Sequence, residues 1–187
     1  MPEDFTYQGA FRLPDEFAWG ALGLSYYPAG DGGNGSLFVT GFQGLLDQSY
    51  EPCYEGSQGC NAYFGEVSIP SPATAPHWED LPLASFVQEM AVFDGGLVQT
   101  VHEAYSFVSG IAYVPRQGSQ AIDKIYGSLN EWYPEGSFGD ASFPTIWFSD
   151  PDGSNARGVF HVGPDAPPFH GIKMGAYLFT VPQTYAD

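Results

Sequence analysis

The sequence predicts an all-β fold of antiparallel sheets joined by long loops. Three observations point to it. Aromatic residues make up 17% of the chain, alongside 24 Gly and 16 Pro. That combination suits many short strands and tight turns. Helical periodicity is nearly absent, whereas short runs with strand character recur between clusters rich in Gly, Pro, Asp, Asn and Ser. At 187 residues the chain is long enough for one domain with a real core.

In chain order, strands are expected near Thr6 to Leu13, Leu22 to Tyr27, Ser36 to Gly41 and Ala62 to Ile69. Further strands are expected near Phe86 to Phe93, Leu97 to Ala104, Gly110 to Val114 and Asp123 to Trp132. The last three are Thr145 to Ser149, Gly158 to Val162 and Met174 to Val181. "LASFVQEMAVF", from Leu83, has a mixed pattern that suits a helix or a strand running into the "DGG" turn. "PAGDGGNG", "PRQGSQ", "DPDGSN" and "GPDAPP" are turns by composition. "PSPATAPHWEDLP" is expected to be a surface connection between two units.

One supersecondary unit recurs. "LGLSYYPAG" (22–30) and "SGIAYVPRQG" (109–118) both run from a small-residue strand through Tyr-x-Pro into a glycine turn. Each is followed by a strand-like run, "SLFVTGF" and "DKIYGSLNEWY", and then by a strand that ends in a proline-containing turn. Counted from Gly23 to Gly110, the period is 110 − 23 = 87 residues. That exceeds the ~40–50 residues of a compact propeller blade, so long loops are expected. The alternative is that Tyr-x-Pro-Gly is simply common hairpin chemistry. On the repeat reading the chain is a single all-β module. Its units are about 1–82 and 83–170, with the start of a third at 171–187.

The run "FTYQGAFRLP…GALGLSYYPAG…SLFVTGF…FGEVSIPSP" resembles the opening of uncharacterised bacterial secreted proteins of the β-propeller type. "HGIKMGAYLFTVPQTYAD" is similar to a segment that leads into further strands in such proteins. The resemblance implies a partial propeller of about two to two and a half blades and a secreted setting. It transfers no catalytic residue. A closed propeller needs about four blades or more. The expectation is therefore that strand edges pair with other chains or with remaining blades.

Asp and Glu number 22 against 5 Lys and Arg, a net charge of −17. Such a surface repels nucleic acid and anionic membranes. No run approaches the ~18 apolar residues of a membrane span. "MPEDFTYQG" has neither the basic nor the apolar region of a signal peptide. Cys53 and Cys60 are close enough in sequence for a disulfide across "CYEGSQGC", with two free thiols as the alternative. The disulfide, the scarcity of lysine and the acidity together point to an extracytoplasmic location.

Candidate chemistry is sparse. Asp150, Asp152 and Asn155 in "SDPDGSN" offer oxygen ligands for calcium around a glycine turn. The same residues also make an ordinary turn. "GDGGNG" (30–35) opens a strand and not a helix, so it reads as a hairpin tip rather than a phosphate cradle. His161, Asp165 and His170 bracket one loop and read as rim residues, with a metal or acid/base cluster as the alternative. Glu131, Trp132 and Tyr133 are the best candidates for a ligand-stacking platform, with a glycan as the ligand. No nucleophile elbow, zinc-protease motif or P-loop occurs. The function expected is a non-catalytic extracytoplasmic recognition or assembly module. One alternative is a carbohydrate-active hydrolase or lyase using acidic and aromatic loop residues. Another is a structural subunit of an extracellular assembly.

Overall fold

The computed structural model describes residues 5–17, 22–41, 62–97, 106–131, 145–161 and 178–181. Two four-stranded antiparallel sheets make up the fold. The first contains β1 (Leu24–Tyr27), β2 (Ser36–Thr40), β3 (Tyr63–Ser68) and β4 (Phe86–Val92). The second contains β5 (Ser106–Val114), β6 (Lys124–Glu131), β7 (Thr145–Ser149) and β8 (Arg157–His161). Each sheet is a simple meander in which every strand pairs with the next.

Alternation explains why these segments are strands. Phe38, on β2, points into the space between the sheets, while Leu37 and Val39 point to the opposite face. Register carries the same alternation across the sheet: Phe38 pairs with Ser25 on β1 and with Glu66 on β3. The first cluster, between the sheets, contains Phe38, Phe64, Phe93, Ile111, Ile125 and Trp147. Its rings form a continuous chain from Tyr113 through Tyr27, Phe38, Phe64 and Phe93 to Trp147, with centroids 4.8 to 5.7 Å apart. Each fully buried side chain of this size contributes about 1.5–3 kcal/mol. The ring contacts add further stabilisation.

The second cluster lies on the far face of the first sheet. Val39, Val67, Phe86 and Met90 pack there against Phe11, Leu13 and Phe17. The segment 6–13, expected as a strand, is instead an extended strap. It makes only isolated bridges, Ala10 with Ala73 and Arg12 with Leu83. Gly9, at φ +123°, turns its backbone out of strand geometry beside Ala73. The strap is there to cover apolar surface, and its hydrogen bonds are divided between two partners.

Other expectations are also revised. β4 pairs on β3, so residues 86–92 belong to the first sheet, although the repeat reading begins its second unit at 83. The proline-rich run 70–82 joins β3 to β4 within that sheet and contains a short 3₁₀ turn at Trp78–Asp80. Of the strand expected at 174–181, the described residues 178–181 are not in a strand. They lie beside β5, with the Thr180 hydroxyl donating to the Tyr113 carbonyl. The expected disulfide is withdrawn. Cys53 and Cys60 lie outside the described residues, no disulfide is present among those described, and its argument for compartment goes with it.

The two sheets meet through their first strands. Ser25 and Tyr27 of β1 face β5: the Tyr113 amide donates to Ser25 Oγ at 2.8 Å, and the Tyr27 and Tyr113 rings touch. β5 answers with Ile111 and Tyr113. Pro28 directly follows β1, and Pro115 directly follows β5. Counted back from these prolines, Tyr27 matches Val114 and Tyr26 matches Tyr113. By this count the sheets meet through opposite faces, Ser25 and Tyr27 on one and Ile111 and Tyr113 on the other.

Candidate functional site at the turn end of the second sheet

In a meander, alternate connections emerge at the same end. The β5–β6 turn (115–123) and the β7–β8 turn (150–156) therefore lie side by side. Between them is an open cleft of about 560 Å³. Arg116, Ile122 and Asp123 line one wall, and Asp150, Pro151 and Asp152 the other.

The acidic groups are held by neighbours in the chain. Asp123 accepts from the Tyr113 hydroxyl at 2.9 Å and from the Arg116 amide at 2.8 Å. Asp150 is bonded to the Lys124 ammonium, and Asn155 Nδ2 donates to its second oxygen at 2.7 Å. Ser154 donates to Asp152 through its amide and its hydroxyl. Hydrogen bonds from Lys124 and Asn155 hold the Asp150 carboxyl below its ordinary range. Those from Ser154 do the same for Asp152. The Tyr113 hydroxyl is pushed up to about 12, first by burial and then by its bond to Asp123. Tyr27 is raised by burial and by the charges of Asp123 and Glu66.

Asp150, Asp152 and Asn155, the candidate calcium ligands, are thus brought together in one turn. There the Asn155 side chain presents its amide nitrogen to one Asp150 oxygen, and the Lys124 ammonium is bonded to the other. Among the described residues, no group of three or more His, Cys, Asp or Glu side chains could hold a metal ion. Glu131 ends β6, at the opposite end from Lys124. Trp132 and Tyr133 lie outside the described residues, as do Asp165 and His170. Sequence reasoning missed Arg116, Asp123 and Lys124. The available signal was the spacing of Tyr113 and Asp123 across a short Gly-containing turn.

The sequence matches no protein-family model, and no curated protein or solved structure matches the chain. Among the described residues no helix is long and apolar enough to cross a membrane.

Proposed function

We propose that this chain is a non-catalytic recognition or assembly module of β-propeller type, with its two sheets as consecutive blades. The observation that carries this reading is the same-sense stacking. Two meanders meet through β1 and β5, each with a different face, so the unit can be continued in either direction. On this reading the sheets are scaffold, and the turns at 115–123 and 150–156 are the variable surface that meets a ligand. The two carboxyls of the β7–β8 turn do not suit the protonated acid that the hydrolase alternative requires. A glycosidase acid needs a raised carboxyl, whereas Asp150 and Asp152 are both lowered. The extracytoplasmic setting rests on composition alone, on few lysines and a strongly acidic surface.

The test is a screen of neutral and acidic polysaccharides with the purified chain, read by mass spectrometry of the products. No new product is expected from any of them. Sustained turnover abolished by Asp150→Asn or Asp152→Asn would overturn the non-catalytic reading.

A further inference from the structure

The two ends of the sheet stack present unlike faces. At one end, β1 turns Leu24 and Tyr26 outward, 59% and 54% exposed. Counted from the following proline, their matches on β5 are Ile111 and Tyr113. Those two are covered, because the first sheet packs on them. At the other end, the second sheet turns Tyr126, Phe148 and Phe160 outward. Phe148 lies 5.3 Å from the Tyr126 ring and stacks on Phe160 at 5.8 Å. Phe160 is 48% exposed, Tyr126 and Phe148 are half-buried, and Ala112 and Ser128 on the same face are buried, so the exposed part of this face is centred on β8. The matching face of the first sheet, with Tyr27, Phe38 and Phe64, is covered by the second sheet. Each of these exposed patches therefore lies on a face whose counterpart is buried inside the same chain.

We propose that these two faces bind each other between copies of the chain. The outer face of β5–β8 in one copy takes the β1 face of the next, repeating the contact that already joins the two sheets. The contact is heterologous, so it leads to a ring if the rotation closes and to a filament if it does not. Phe11, Leu13 and Phe17 already cover the middle of the first sheet on that side. The intermolecular contact is therefore centred on β1. A charge of −17 per copy opposes association. Lys124, which sits over the Phe148 ring, is already paired with Asp150 and does not offset that charge. Salt shortens the range of the repulsion and leaves apolar burial intact, so association strengthens as salt is raised.

This inference rests on the stacking used for the proposed role, and the two fail separately. Turnover ends the non-catalytic reading and leaves the contact standing. A monomer ends the contact and leaves the role standing. The experiment is sedimentation equilibrium of the whole chain at low and high salt. Species heavier than 20.2 kDa are expected, increasing with salt. Tyr26→Asp removes one face and Phe160→Asp the other, so each variant alone is expected to be monomeric. Their mixture is expected to form a dimer of twice the chain mass, because each contributes its intact face. Circular dichroism establishes that both variants are folded, and Tyr26→Ser with Phe160→Ser replaces any variant that is not. A parent chain monomeric at every salt concentration overturns the proposal, as does a mixture of folded variants that stays monomeric.

Discussion

Gly127, on β6, has no room for a side chain. A Cβ there would fall 2.3 Å from Trp147 Cζ2 and 2.7 Å from the Phe93 ring. Gly127→Ala is expected to destabilise the fold by about 1–3 kcal/mol through overpacking, read by urea denaturation. Tyr113 makes a pH prediction. Its folded-state value is raised from 10.0 to about 12, so the folded chain holds this proton more tightly than the unfolded one. The associated stability is fully present below pH 10 and is lost as pH rises through about 12. Tyr113→Phe should flatten that alkaline fall in denaturation midpoints measured across the range. An unchanged fall would mean that other groups cause it. That Tyr113 is special was half legible. Its Tyr-x-Pro context marked the strand end, but the partner Asp123 was visible only as the start of the next strand.

At the scale of elements, β5 depends on side chains at its free edge. Ser25 Oγ takes the Tyr113 amide, and the Thr180 hydroxyl donates to the Tyr113 carbonyl. Ser25→Ala leaves a half-buried N–H without a partner and is expected to cost about 1 kcal/mol in thermal or urea unfolding. The β7–β8 turn is stabilised by Lys124 on Asp150. Because the Asp150 carboxyl is lowered, that contribution is present above the ordinary carboxylate value of about 3.9. It is lost as pH falls through the lowered value. Asp150→Asn should remove this part of the acid dependence of stability. Saturating calcium is expected to leave the Tm of the parent chain unchanged, because Lys124 already occupies the carboxylate. A clear calcium-induced rise would show that the ion displaces it. Most strands in the described residues were legible, because side chains alternating across a half-buried sheet leave a period of two in the sequence. The strap at 5–17 was not. Phe11, Leu13 and Phe17 bury like strand residues, while the backbone pairing is a matter of where neighbouring chain happens to pass.

At the scale of the whole molecule, one aromatic cluster crosses between the sheets. The sheets should therefore unfold together. Phe38→Ala in the first sheet and Trp147→Ala in the second are each expected to cost about 3–5 kcal/mol. Both should shift one common transition, seen alike by circular dichroism and tryptophan fluorescence. Two separate transitions, each moved by only one substitution, would show that the sheets are independent.

Composition and period-two patterning determined the fold class, and the repeated Tyr-x-Pro strand marked the first strand of each sheet. Those properties are local: turn chemistry and alternation act over a few residues and are written in them. The tertiary structure decided what no local pattern carries. It put residues 86–92 on the first sheet, because a strand joins whichever edge its apolar face can cover. It turned the N-terminal segment into a cover for that sheet. It set Lys124 on Asp150 and Tyr113 on Asp123, contacts that depend on two turns emerging at the same end of a meander. It also left Leu24 and Tyr26 open at one end of the stack and Phe160 at the other. Which face of a sheet is buried depends on what stands next to it in space.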